Sequence, residues 1–305
     1  MTWIHTISDI ERDTGIAKDR LRVWERRYGF PEPQRDDTDE RLYDDAQLFR
    51  LRLIKRLLDL GERAGRVVPM AVDELQRRVD NAVRPLTGRV LDEASDALLN
   101  DLVVMIKATD RKALHGRLMH LISERGISAV IERVIAPLGA RVGEFWLSGQ
   151  IAIYQEHLFT AVIRSVLIQA MEQLPLQSAA QPPLVLLATL GNERHEIGLL
   201  MAESMFAQAG CDRLSLGTSM PLNEAVAACL AVKPDIFALS FSGQNAPREV
   251  LSQLKQLRGM FPPATEVWVG GSAVALRLVT DIAVARAFTS ASDIRSAIDV
   301  WRASH

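Results

Sequence analysis

The sequence predicts a multidomain α and α/β protein: a winged helix-turn-helix, then a four-helix bundle, then a Rossmann-like (flavodoxin-like) domain. Three observations predict it. The amino-terminal stretch, residues 1–66, is dense in charge of both signs, with 14 Lys/Arg and 14 Asp/Glu. The middle stretch carries apolar residues at helical spacing with few Gly or Pro. The last stretch alternates short apolar runs with helical segments, the pattern of a parallel sheet covered by helices. The expected domains are 1–70, 80–177 and 183–305.

A chain of 305 residues has room for two or three domains. Hydrophobic residues are 48% and charged residues 24%, which excludes global disorder and collagen-like repetition. The net charge of −2 means that nucleic-acid binding has to rest on a local patch. Cys211 and Cys229 form no CxxC pair, so neither a thiolate zinc site nor a disulfide framework is expected. No apolar run approaches ~18 residues, and the start lacks a basic region followed by an apolar run. A cytoplasmic protein without membrane contact is the expectation.

In the first domain, Ser8–Thr14 predicts a helix, Gly15 a turn and Lys18–Tyr28 a second helix, which is the helix-turn-helix plan. The second helix carries Lys18, Arg20, Arg22, Arg26 and Arg27 against only Asp19 and Glu25, and Leu21 with Trp24 supplies its buried stripe. A helix that buries one side and offers arginines on the other suits a phosphate-lined groove. A charged helix with a solvated face is the plainer alternative. Residues 30–43 read as a hairpin or wing, and Asp44–Leu60 as a helix burying Leu48, Leu51, Ile54, Leu57 and Leu58. Residues 61–71 and Pro175–Pro183 read as linkers. The run Arg22-Val23-Trp24-Glu25-Arg26-Arg27-Tyr28-Gly29 and the wing-closing Arg41-Leu42-Tyr43 resemble the MerR family. That resemblance implies a dimer on near-palindromic operator DNA, with Lys18, Arg20, Arg22, Arg26, Tyr28, Arg41 and Tyr43 as contacts, Arg26 and Arg41 foremost.

In the last domain, strands are expected at Leu184–Thr189, Leu214–Gly217, Ile236–Ser240 and Glu266–Val269. Helices are expected at Ile197–Ala209, Leu222–Ala231 and Arg248–Gly259. The loop Leu190–Ile197 therefore lies at the carboxyl end of a strand, where open α/β sheets bind ligands. Its His195, taken alone, could be a metal ligand, a general base or a surface residue. Glu193-x-His195-x-x-Gly198, Ser240 after the third strand and Gly270-Gly271 after the fourth resemble the cobalamin-binding domain shared by methionine synthase and mutases. The resemblance implies that His195 ligates cobalt, that Glu193 accepts a hydrogen bond from its other ring nitrogen, and that Ser240 and Gly270-Gly271 leave room for the displaced nucleotide tail. Glu193 stands where the family has Asp, and Ser242 where it has Leu.

The middle domain holds Trp146, then Glu156-His157 with nine residues between. Singly, a Trp among helices is core and Glu-His at a helix start is a solvated cap. Together, the spacing and the domain order resemble the adenosylcobalamin photoreceptors of the CarH/LitR type. The resemblance implies adenosylcobalamin as cofactor, Trp146 against the adenosyl group, and Glu156 and His157 holding the ligand or a neighbouring bundle. Leu147 follows Trp146 where well-known members have a cobalt-ligating histidine; water, His115 or His120 would have to take that face. The implied function is a non-enzymatic, light-responsive repressor, a homo-oligomeric dimer or tetramer bound to DNA in the dark. The alternative is a regulator that senses cobalamin without light or answers to a regulatory protein partner. A third, a mutase or methyltransferase carrier subunit, lacks a visible catalytic partner domain.

Overall fold

The computed structural model describes residues 5–59, 62–83, 93–174, 181–243, 245, 247–271, 285–288, 290 and 292–305. Contacts divide the chain into two units, Met1–Pro85 with Leu147–Gln150, and Leu86–Trp146 with Ile151–His305. Among the described residues no helix is long and apolar enough to cross a membrane.

The first unit runs β1 (His5–Thr6), α1 (Ile7–Thr14), α2 (Lys18–Tyr28), β2 (Gln34–Arg35), β3 (Arg41–Tyr43), α3 (Asp45–Asp59), α4 (Ala64–Val67) and α5 (Val72–Val83). A capping box starts α1: the Asp9 N–H donates to Thr6 Oγ1 at 3.2 Å, and the Thr6 N–H donates to the Asp9 carboxylate at 3.0 Å. Gly15 and Gly29 end α1 and α2 in the left-handed conformation, at φ 69° and 68°. Leu21 and Trp24 are buried, as the spacing requires. The three strands pair antiparallel in the order β1-β3-β2, so the wing is a true hairpin. Helix α3 buries Leu48, Leu51, Leu53, Ile54 and Leu57, and Arg52 makes a two-pronged ion pair with Asp13 of α1, both bonds 2.7 Å. The stretch 61–71, expected as a linker, instead contains α4 and leads into α5. Val67, Val68, Leu75 and Val79 are buried there, and apolar burial makes it part of the unit.

The second unit begins with four helical arms: α6 (Glu93–Lys107), α7 (Arg111–Arg125), the continuous run α8 (Ile127–Val130), π turn (Ile131–Ile135) and α9 (Ala136–Leu147), and α10 (Ile153–Glu172). The π turn directly precedes Pro137, which has no N–H to return to Arg133, and the ladder widens there. The α/β portion follows as β4 (Gln181–Ala188), α11 (Glu196–Gln208), β5 (Cys211–Ser215), α12 (Leu222–Val232), β6 (Ile236–Phe241), α13 (Pro247–Met260), β7 (Glu266–Gly271), β8 (Arg286–Phe288) and α14 (Ser292–Ser304). The sheet is parallel throughout, in the order β5-β4-β6-β7-β8. Of the expected linker Pro175–Pro183, residues 175–180 lie outside the described residues, and Gln181–Pro183 already belong to β4.

Alternate residues of each strand face opposite sides, which gives two cores. On one side, Leu186, Ala188, Phe237, Leu239, Val267 and Val269 pack with α12 and α13. On the other, Val185, Leu187, Ile236, Ala238 and Trp268 pack with α11 and α14, and this core continues without a break into the helical bundle through Leu167, Ile163 and Phe159 of α10. Helix α11 thus lies between sheet and bundle. Its Phe206 is buried, with its ring 6.0 Å from that of Trp268. Phe206→Ala is expected to cost about 3–5 kcal/mol. Calorimetry should show bundle and sheet melting together at a lower temperature, not the sheet alone.

Candidate functional site

Strand β4 pairs with β5 on one side and β6 on the other, so the chain connections diverge at the β4/β6 boundary. Open α/β sheets bind ligands in the crevice outside the carboxyl ends of the strands at such a boundary. The loop from Thr189 to His195 fills its edge, and His195 caps the start of α11.

Glu193 organises this loop. Its side chain is 1% exposed, against 50% for His195. Oε1 accepts from the His195 backbone N–H at 2.9 Å and meets His195 Nδ1 at 2.5 Å. Oε2 accepts from the Ser242 N–H at 2.7 Å and from Asn245 Nδ2. The Glu193 carbonyl accepts from Thr189 Oγ1 at 2.6 Å and from the Ser219 N–H at 3.1 Å. Ser219 holds a left-handed φ of 60°, a strained conformation fixed by its N–H, which donates to the Glu193 carbonyl and, at 2.9 Å, to Thr189 Oγ1. Burial alone would push the Glu193 carboxyl up, but the hydrogen bond and charge of His195, its N–H and Ser242 outweigh it and bring it down to about 2. The group stays ionised at neutral pH. With Nδ1 engaged, Nε2 is the nitrogen left to a ligand on the half-exposed face of the ring.

Two glycines allow close packing beside this loop. A Cβ on Gly198 would sit 2.7 Å from Ser240 Oγ, so the start of α11 approaches β6 only because that residue is glycine. Gly270 and Gly271 pair with Ser240 and Phe241. Gly271 has φ 122°, and a Cβ there would lie 2.1 Å from the Phe241 carbonyl oxygen. Ser240 is buried between these neighbours. The arrangement fits a corrinoid. It offers a half-exposed imidazole whose Nδ1 is held by an ionised carboxylate, beside a strand end where Gly198 and Gly271 admit no side chain. Among the described residues no group of three or more His, Cys, Asp and Glu could hold a metal ion, whereas a corrin brings its own equatorial nitrogens and asks the protein only for an axial one.

Trp146 is half-buried on the last turn of α9. Glu156 and His157 lie on the first turns of α10, where Glu156 binds His157 Nδ1 at 2.7 Å and Thr160 Oγ1 at 2.8 Å. Two turns further along the same helix, Arg164 approaches Glu196, the neighbour of His195, at 3.7 Å. Helix α10 therefore runs past the start of α11. His115 and His120 are on α7, and His120 Nε2 is 3.4 Å from Glu124. The residues that the sequence did not single out are Thr189, Ser219 and Asn245. Their contacts with Glu193 span up to 52 positions, and no local pattern marks them.

In the first unit, α2 presents Arg20, Arg22, Arg26 and Arg27 to solvent. Lys18 pairs with Glu11 at 3.7 Å and Arg22 with Asp19 at 3.1 Å. Tyr28 is half-buried, with the Arg27 guanidinium 5.3 Å from its ring centroid. Arg41 of the wing donates from Nε to Glu25 of α2 at 3.0 Å, which fixes the hairpin against the helix. Tyr43 corrects the sequence reading: it is 1% exposed, a core residue on the inner face of β3, and cannot reach a DNA groove.

Residues 5–64 match the MerR HTH family regulatory proteins, and residues 98–170, which are the helical bundle, match the B12 binding domain. Fold and site together define a helix-turn-helix DNA-binding regulator that carries a cobalamin-binding unit. The chain is 32% identical over 284 residues to the HTH-type transcriptional repressor CarA of Myxococcus xanthus, covering 87% of this chain and 85% of that one. It is 29% identical over 262 residues to the HTH-type transcriptional repressor CarH of the same organism, covering 85% and 86%. The Methanosarcina barkeri monomethylamine corrinoid protein shares the fold at a TM-score of 0.50 and 16% identity, over 69% of this chain and 97% of that one. The chain belongs to the CarA/CarH family of MerR-type transcriptional regulators.

Gly271→Ala is expected to force β7 away from β6 and to abolish retention of cobalamin on gel filtration. Gly270→Ala, whose Cβ would meet its nearest neighbour at 3.8 Å, should be far milder for the fold.

Proposed function

We propose that this chain is a light-responsive transcriptional repressor that holds adenosylcobalamin through His195, binds operator DNA in the dark and releases it on illumination. The observation that carries the reading is the Glu193–His195 pair, placed at the carboxyl end of β4 with Nε2 outward. When bound, adenosylcobalamin supplies a cobalt–carbon bond that light can break. His195 Nε2 would hold the cobalt, and Glu193 fixes the ring's tautomer and aim. Gly198, Ser240, Gly270 and Gly271 leave the cleared path for the nucleotide tail. Trp146 packs its flat ring against the adenosyl group, and Glu156 and His157 hold the ligand from α10.

On the DNA side, Arg20, Arg22 and Arg26 meet the groove, with Lys18, Tyr28 and Arg41 at its edges. In the dark, contact between bundle and ligand favours a homo-oligomer, a dimer or tetramer, in which several DNA-binding units act on one operator. Linking them raises effective concentration and hence affinity without new base contacts. Trp146 would no longer have the adenosyl group to hold after illumination, which would weaken the assembly and its grip on DNA together. This is a ligand-biased two-state switch.

Leu147 favours a second reading, a regulator that senses cobalamin without light or through a regulatory protein partner, because no histidine follows Trp146 to take the vacated cobalt face.

The deciding experiment is an absorption spectrum of the chain with adenosylcobalamin, before and after green light, beside operator binding under both conditions. A histidine-ligated spectrum that changes irreversibly and DNA release in light are expected, and His195→Ala should lose the ligated form. Equal DNA binding in dark and light would leave only the second reading. For the DNA face, Arg26→Ala should lower the slope of log affinity against log salt by about 1, since one phosphate contact is lost. Titrations at several salt concentrations measure this.

A further inference from the structure

The Glu193 carboxylate is buried, and its four acceptor positions are all used. Two go to His195 and one to the Ser242 N–H, a backbone donor that any non-proline residue would supply. The last goes to the side chain of Asn245. Its nitrogen, not its oxygen, must face the carboxylate, because two oxygens would repel. The amide is held in that pose by its own loop: Nδ2 also lies 3.2 Å from the Ser242 carbonyl and 3.4 Å from Ser242 Oγ, and the Asn245 N–H donates to the Ser242 carbonyl at 3.2 Å.

We propose that Asn245 is a positioning residue for the cobalt ligand, its amide fixing Glu193 Oε2 so that Oε1 stays on His195 Nδ1. The inference rests on the reading of His195 as axial donor. Without the amide, one face of a buried anion loses its donor. The carboxylate is then free to turn toward other partners, and the imidazole loses its fixed aim. Outer partners of a metal-bound histidine commonly matter 10- to 100-fold in affinity. Since Asn245 lies beyond β6 and His195 beyond β4, the aim of the ligand is set from across the crevice, and a shift of the β6 loop changes it.

The test uses the full chain with Asn245→Ala and the nearly isosteric Asn245→Asp. Affinity for adenosylcobalamin is read by absorbance titration in the dark. Axial ligation is read from the nitrogen splitting in the electron paramagnetic resonance spectrum of the chain loaded with cob(II)alamin. Asn245→Ala should bind about 10-fold more weakly, with weakened nitrogen splitting. Asn245→Asp should be worse, about 100-fold, because a second carboxylate replaces the donor beside Glu193. If Asn245→Asp matches the wild type, or if both variants keep wild-type affinity and splitting, the proposal is overturned while His195 ligation stands. If the wild type binds cobalamin with no axial nitrogen splitting, the reading of His195 fails and the proposal falls with it.

Discussion

The buried Glu193 carboxylate is the constraint on which the candidate site depends. An ionised group withdrawn from water needs all its lone pairs met. Glu193 meets them by drawing together segments that follow two different strands, His195 after β4 and Ser242 with Asn245 after β6, while its backbone carbonyl accepts from Ser219 after β5. The same bonds that satisfy the charge orient the imidazole. Solvation of one anion and placement of one imidazole are therefore a single problem with a single solution, and the departure from Asp to Glu is absorbed by it. The longer side chain curls back to its own residue's second neighbour and still reaches the ring.

That solution is held by packing below it. Helix α11 begins after His195 and is gripped on one face by the sheet and on the other by α10. Glycine at 198 lets its first turn lie against Ser240. Because sheet, α11 and bundle share one apolar core, a displacement of the bundle is felt at the helix whose first turn carries His195. Interiors at this density have discrete packings instead of gradual deformation. A ligand held between α10 and the crevice would act on a stiff lever.

In the DNA-binding unit the charge is sorted by the fold. Glu25 is on the recognition helix but spends its charge on Arg41, so the outer arginines of α2 are less opposed than their sequence neighbours suggest. Arg52 and Asp13, both deeply placed, join α3 to α1 and take no part in any surface. On α2 the exposed cations are Arg20, Arg22, Arg26 and Arg27, of which Arg22 pairs with Asp19.

The sequence by itself determined the helix-turn-helix and most strands and helices of the sheet domain, but not α4, α5, β8 or α14, and it placed β5 at Leu214–Gly217 where the strand runs Cys211–Ser215. Lys18–Tyr28 was legible end to end because a buried pair three apart and a closing glycine are local signals, and β4, β6 and β7 because continuous β-branched and leucine runs mark fully buried strands. His195, Glu193, Gly198 and Gly270-Gly271 were legible because their motif is short-range and tied to strand ends. Tertiary structure decided the rest. Tyr43 sits beside an arginine in the wing, yet strand alternation turns its ring into the core. Residues 61–71 look like a linker by composition, but burial of Val67 and Val68 makes them structure. Asn245 carries no local mark, since its partner is 52 residues away. The physical reason is range: helix periods, caps and strand runs are set by neighbours within a few residues, whereas the solvation of a buried charge and the sharing of a core depend on which distant segments the fold brings side by side.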